Sequence, residues 1–296
     1  KASKISSGFS LLNMYLRLYS LPDKIISSRI NLLGLQNIIG FVIDWYADKK
    51  MKSFENNEII VVVSAMSGVT NELLRKSESI SKDFDKSEQD VLLSTGEQVS
   101  SALLSGAIKD LGLKARSWLG WQIPIITEDN YSSSRILEIK TENVAKNLSK
   151  GEIAVITGFQ GISLKNRITT IGRGGSDASA VAIAKFFEAD SCEIYTDVEG
   201  VLTTDPAINS KAKKIDKISY EEMLEMASLG AKVMQPSAVQ TAMLHNISVK
   251  VKPTFSKGSG THVLSEHAID YKKVITGVTY SKNDAKITLL GVVDKP

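Results

Sequence analysis

The run Ile59-Ile-Val-Val-Val-Ser64 is apolar at five consecutive positions and dominated by β-branched side chains. A strand with one wet face alternates polar and apolar residues, so an unbroken run fits a strand covered on both faces, as in a parallel sheet. Similar runs recur at Ile153 to Thr157, Glu193 to Thr196 and Ser248 to Val251. Between them, Ala180, Ile183, Ala184 and Phe187 stand at helical spacing, and Ser219 followed by Glu222 is a capping-box pattern that opens a helix through Leu229. Strands alternating with helices predict an α/β fold of βαβ units around a covered parallel sheet. Ligands of such sheets bind beyond the carboxyl ends of the strands.

Composition narrows the function classes. With 296 residues, 43% hydrophobic and 23% charged, the chain can bury a sizeable core as one large domain or two smaller ones. A net charge of +3 from 36 basic and 33 acidic residues creates no field that calls for nucleic acid or an anionic membrane, so small-molecule chemistry is expected. No apolar run approaches the roughly 20 residues that span a bilayer, which predicts a soluble protein. The lone Cys192 has no partner for an internal disulfide, fits a reducing compartment, and reads as a small buried residue rather than a nucleophile. Lys1 to Pro22 has serines, Arg17 and apolar residues but no acid, a composition shared with transit peptides; an ordinary amphipathic helix is the simpler expectation. His245, His262 and His267 are scattered and read as surface or packing residues.

Three strand ends carry polar, glycine-containing loops. Ser64-Ala-Met-Ser-Gly-Val-Thr70 offers hydroxyls and backbone N–H groups ahead of a helix, although ordinary turns and caps use the same residues. Ile171-Gly-Arg-Gly-Gly-Ser-Asp-Ala-Ser179 combines three glycines, which let backbone approach a ligand, with Arg173, whose planar fork suits a carboxylate or phosphate. A turn followed by a cap explains the glycines and Asp177 but does not require an arginine among them. Tyr195-Thr-Asp-Val-Glu-Gly-Val-Leu-Thr-Thr-Asp-Pro206 places aspartates that could face a nucleotide, its metal or their own turns. In Gly230-Ala-Lys-Val-Met-Gln-Pro236, Lys232 could contact a phosphate or simply satisfy the carbonyls closing a helix. Walker-type loops, dinucleotide fingerprints and Cys/His clusters with metal spacing are absent from the sequence, so no metal-ligating residue is assigned. Ser256-Lys-Gly-Ser-Gly-Thr261 reads as a linker, followed by strand patterns at Val274 to Thr279 and Ile287 to Val292.

Taken in order, Val63-Ser-Ala-Met-Ser-Gly-Val-Thr70, Ser94-Thr-Gly-Glu97, Thr157-Gly-Phe-Gln-Gly161, Gly172-Arg-Gly-Gly-Ser-Asp177, Tyr195-Thr-Asp-Val-Glu-Gly200 and Gly230-Ala-Lys-Val-Met-Gln-Pro236 resemble aspartate kinases from about Glu58 to Pro296. The resemblance implies the amino acid kinase fold, a three-layer αβα sandwich with a mainly parallel sheet, followed by small regulatory ACT domains. On that basis residues 1–57 are a divergent amino-terminal segment, 58–263 the catalytic domain, and 264–296 a linker with the start of an ACT domain. It further implies transfer of the γ-phosphoryl group of ATP, with Mg²⁺, to the side-chain carboxylate of L-aspartate, as the first step of lysine, threonine and methionine biosynthesis. A cytoplasmic homo-oligomer without nucleic-acid or membrane partners is the corresponding expectation.

Carried over by residue, Ser64, Thr70, Glu97, Phe159 and Arg173 fall at aspartate-binding positions, Gly174, Ser176 and Asp177 at the reaction centre, and Thr196, Asp197 and Lys232 at the nucleotide site. A carboxylate acceptor is already ionised and nucleophilic near neutral pH, so this chemistry needs alignment and cations rather than a general base. The family's opening strand and Lys-Phe-Gly-Gly-Thr-Ser loop have no evident counterpart; Lys4-Ile-Ser-Ser-Gly8 imitates it poorly. Leu202, Ala207 and Ser237 stand where the family usually has Tyr, Arg and Arg. These departures imply weakened ATP handling, with a ligand-binding or assembly remnant of an aspartate kinase as the alternative. A glutamate 5-kinase is a further acyl-phosphate-forming alternative, disfavoured by Glu97 and the Ser64 loop.

Overall fold

The computed structural model describes residues 8–14, 57–110, 112–231, 233–254, 256, 258–269 and 275–280, with residues 8–14 and 57 described by backbone alone. The expected buried strands are present. β2 (Asn57–Val63) pairs in parallel with β6 (Ile153–Thr157), and β9 (Ser191–Thr196) with β11 (Val249–Pro253). Between β2 and β9 lies β1 (Gly8–Met14), parallel to both. The sequence reading left this first strand out and expected a helix over Lys1 to Pro22, because Gly8-Phe-Ser-Leu-Leu-Asn-Met14 lacks the β-branched run of its neighbours. A central position hydrogen-bonded on both edges overrides that weak local preference. The six residues after Met14, where the missing family loop would fall, lie outside the described residues, as does Lys4.

The large sheet has eight strands in the order β10-β12-β11-β9-β1-β2-β6-β3, completed by β3 (Ala115–Trp118), β10 (Lys217–Ser219) and β12 (Thr261–Leu264). It is mainly parallel; β12 runs antiparallel to β11. The chain between Pro253 and Thr261 therefore joins two paired strands of one sheet, and the linker reading is corrected. Gly260 explains why the chain can turn there: its φ is +67°, and a Cβ would sit 2.0 Å from the Val251 carbonyl oxygen.

The strict alternation of β2 divides its side chains between two helical layers. Ile59, Val61 and Val63 pack with Leu104 and Ile108 of α2 (Lys86–Asp110). Ile60 and Val62 belong to the larger core on the opposite face, with α3 (Glu142–Leu148), α4 (Gly175–Phe186), α5 (Tyr220–Ser228) and α6 (Pro236–Leu244). This is the expected three-layer αβα arrangement. In α4, residues 175–184 are all buried, and alternating alanines at 178, 180, 182 and 184 combine high helix propensity with small volume. The predicted capping box also forms: the Glu222 N–H donates to Ser219 Oγ at 3.1 Å, and the Ser219 N–H to Glu222 Oε2 at 3.1 Å.

A second sheet, which periodicity did not foreshadow, has the order β5-β4-β7-β8, from β4 (Ile125–Thr127), β5 (Ile136–Ile139), β7 (Gln160–Ser163) and β8 (Ile168–Thr170). Its strands are too short for a pattern to be read. It matters because β8 delivers the chain to Arg173. The strand expected at Val274 to Thr279 does not form: residues 275–280 make no regular element and run beside α5, Thr276 Oγ1 donating to Glu222 Oε1 and Thr279 Oγ1 to the Leu229 carbonyl at 3.2 Å, while the Val278 N–H donates to the Thr203 carbonyl at 2.8 Å. Val274 itself and the pattern at Ile287 to Val292 lie outside the described residues.

Candidate active site

At the carboxyl ends of β2 and β6 the neighbouring chains diverge, with the Gly158 N–H still bonded to the Val63 carbonyl at 2.9 Å. The gap is a cavity of about 620 Å³, the size of a small-ligand site. Two helix starts border it. α1 (Val69–Ile80) begins after Gly68, whose φ of +81° is left-handed, and α4 begins after Gly174, at φ +73°. Such starts favour anions through their exposed N–H groups and the positive end of the helix dipole.

Of the sequence-selected residues, Ser64, Thr70, Glu97, Phe159, Arg173, Gly174 and Ser176 line this cavity. Glu97, on the central part of α2, is only 3% exposed. Its Oε1 accepts the Ala65 N–H at 3.0 Å, whereas Oε2 is buried without a hydrogen-bond partner among the described residues. Burial pushes this carboxyl up to about 7, only partly offset by the Ala65 N–H and the residue's own amide. Ser64 Oγ is likewise buried without a partner. Arg173 is exposed at the rim and takes part in none of the ion pairs among the described residues. The cavity thus presents an unsatisfied acceptor deep inside and an uncommitted guanidinium at its edge.

Phe159 shows how tightly this corner is built. Its backbone is left-handed at φ +67°, uncommon for a residue with a Cβ, and is held there from both sides. Its N–H donates to Ser179 Oγ at 3.0 Å, and its carbonyl accepts the Ile171 N–H at 2.9 Å. The ring packs where a side chain on Gly175 would stand: a Cβ there would lie 2.8 Å from Phe159 Cδ2. Glycine at 175 is therefore a steric requirement of the pocket wall.

The remaining residues are placed elsewhere. Asp177 is 1% exposed and does not line the cavity; it sits in the first turn of α4, close enough to Cys192 on β9 to help burial raise that thiol's pKa. Thr196 and Asp197, at the end of β9, also lie outside the cavity wall; Thr196 Oγ1 donates to Asp197 Oδ1 at 3.1 Å, and the Thr196 carbonyl accepts the Thr254 N–H at 2.7 Å. Lys232 lies outside the described residues. Ala207 donates its N–H to Asp205 Oδ1 at 2.8 Å, which fits the local-turn reading of Asp205-Pro206. Sequence reasoning missed Ser132 and Thr170, which also line the cavity, because the β4–β5 loop and the short strand β8 that carry them belong to the second sheet and have no recognisable motif.

Residues 35–253 match the sequence model of the Amino acid kinase family. The chain belongs to the amino acid kinase family. The match starts ahead of Glu58, where the motif resemblance begins. Within the family, the chain is 44% identical over 251 residues to aspartate kinase Ask_LysC of Stutzerimonas stutzeri, covering 84% of this chain and 61% of that protein. It is 43% identical over 252 residues to an aspartokinase of Pseudomonas aeruginosa, again covering 84% and 61%. The chain thus spans about three-fifths of the length of these curated relatives. Among solved structures, the aspartate kinase from Synechocystis superposes with a TM-score of 0.69 at 37% identity, over 86% of this chain and 40% of that one. Escherichia coli aspartokinase III in complex with aspartate and ADP shares the fold, with a TM-score of 0.70 at 24% identity over 86% and 64% of the two chains. No helix among the described residues is long and apolar enough to cross a membrane.

Proposed function

We propose that this amino acid kinase chain is the catalytic part of an aspartate kinase, transferring the γ-phosphoryl group of ATP to the side-chain carboxylate of L-aspartate. One observation carries the reading: a single cavity holds the unpartnered buried oxygen of Glu97 and the uncommitted guanidinium of Arg173. An α-amino acid carries a cation and an anion on one carbon, and these groups complement both. The acceptor carboxylate would then lie toward the starts of α1 and α4, near Ser64, Thr70, Gly174 and Ser176. A carboxylate nucleophile needs no base, consistent with a cavity whose described lining sets hydrogen-bond donors and the Arg173 guanidinium around one buried acid.

The nucleotide is assigned to the end of β9, around Thr196 and Asp197, with Lys232 as a further contact and Asp177 as a reaction-centre residue on the family resemblance alone. Mg²⁺ would enter with the phosphates. Among the described residues no three His, Cys, Asp or Glu side chains come together, and an ion held mainly by phosphate and water needs no such cluster. Bound there, it would neutralise charge on the transferring group. We read residues 58–263 as the catalytic domain together with β1, and 264–296 as the passage into a regulatory ACT domain. A homo-oligomer in the cytoplasm accords with that reading.

The test is calorimetric titration of aspartate and glutamate into the parent and Arg173→Ala, with trapping of acyl phosphate by hydroxylamine. Aspartate should bind in preference to glutamate, and the variant should lose about 2 kcal/mol or more of affinity, the loss of a charge-assisted pair. Equal weak binding in every case would refute the substrate assignment. Aspartate binding without ATP-dependent hydroxamate would make the chain a ligand-binding remnant.

A further inference from the structure

Asp90 lies on α2 seven residues before Glu97, two turns along the same helix and about 10 Å away along its axis. It is fully buried and takes part in no ion pair among the described residues. Its carboxylate instead gathers four donors from two segments, Ser132 in the loop between β4 and β5 and Thr170 where β8 ends and the Arg173 loop begins. The Ser132 N–H donates to Oδ2 at 2.9 Å and Ser132 Oγ to Oδ1 at 3.2 Å. The Thr170 N–H donates to Oδ2 at 2.7 Å and Thr170 Oγ1 to Oδ1 at 2.8 Å. Charge-assisted bonds of this kind are short and strong, and an acceptor saturated by four donors holds both loops at fixed distance from α2.

Those loops are walls of the cavity. Ser132 and Thr170 both line it, and Thr170 leads through Ile171 and Gly172 to Arg173. Ser132 is itself in the left-handed region at φ +66°. Gly172 seals the contact between the loops: its φ is +84°, and a Cβ would stand 2.9 Å from the Ser132 carbonyl oxygen. The Ser134 N–H adds a bond to the Thr170 carbonyl at 2.9 Å. One helix therefore carries both Glu97 and the acid that anchors the Arg173 loop.

We propose that Asp90 is a positioning residue that fixes the Arg173 loop relative to Glu97 and so sets the affinity of the cavity for its amino acid. The proposal rests on the amino-acid reading of the cavity. Asp90→Asn keeps the size of the side chain but turns an NH₂ group toward donors. Thr170→Val removes one donor at nearly constant volume, and Thr170→Ser restores it. L-Aspartate and ATP are titrated separately by calorimetry into the parent and each variant, and amide hydrogen exchange is followed in segments 128–134, 168–175 and 94–108.

The expected result is that Asp90→Asn weakens aspartate binding at least about tenfold while ATP affinity changes less than about twofold. Thr170→Val should show the same direction and Thr170→Ser should recover the parent value. Exchange should quicken in the two loops and stay slow in 94–108. Parent-like aspartate binding in Asp90→Asn would overturn the proposal, as would uniform quickening across the chain, the mark of general destabilisation. Should Asp90→Asn not fold, the Thr170 pair decides by the same criteria. If the parent binds no aspartate, the substrate reading falls by itself, and the positioning role then stands or falls on exchange in the two loops.

Discussion

Replacing Glu97 by Gln tests whether the cavity is built to hold an unpaired carboxyl. In the ligand-free protein burial raises the Glu97 pKa from an ordinary 4.5 to about 7. Between these values the folded state keeps a proton that the unfolded chain has released, so stability falls as pH rises through that window and levels off above it. At about 1.4 kcal/mol per pKa unit the full loss is about 3 kcal/mol, of which about 2 falls between about pH 5.5 and pH 8. Gln has the same shape, can present its carbonyl oxygen to the Ala65 N–H, and does not ionise. Glu97→Gln should therefore match the parent more closely at about pH 5.5 and exceed it by about 2 kcal/mol more at about pH 8, measured by urea unfolding with an unchanged slope. A stability difference independent of pH would refute the argument, because it would mean that the folded protein accommodates the ionised carboxylate as well as water does.

The same group predicts that aspartate binding below about pH 7 releases a proton, since the ligand's ammonium favours ionised Glu97; calorimetry in buffers of differing ionisation enthalpy should detect it, and buffer-independent heats would count against it. Gly174→Ala should destabilise the fold by about 2 kcal/mol or more and weaken aspartate binding, because its φ is +73° and the new Cβ would meet Gln235 Cγ at 1.7 Å; a thermal melt like the parent's would contradict this. Cys192 is fully buried, and desolvation raises its thiol pKa, so it should resist thiol reagents until the protein unfolds; rapid labelling of the native protein would show the burial to be wrong. Ser219→Ala removes one half of the capping box and should cost about 1 kcal/mol, read from denaturant midpoints.

Elements whose signal is local are legible in the amino-acid order. Five apolar residues in a row specify β2 because both faces of that strand must be covered, and Ser219 with Glu222 specifies a helix start because the two bonds close within four residues. The left-handed turns at Gly68, Gly172 and Gly174 were legible because glycine marks them, whereas the same backbone conformation at Ser132 and Phe159 leaves no such mark on residue type. Tertiary structure decided what depends on distant partners. Gly8–Met14 becomes a central strand only because β2 and β9 offer it two edges, and the chain after Pro253 connects paired strands only because β12 returns to β11. Glu97 was recognisable as a candidate, but its unsatisfied oxygen exists only once α2 lies against the Ser64 loop. Asp90 carried no signal at all, since its four donors come from residues 42 and 80 positions away, and a hydrogen bond closed over that distance imposes no pattern on neighbouring sequence.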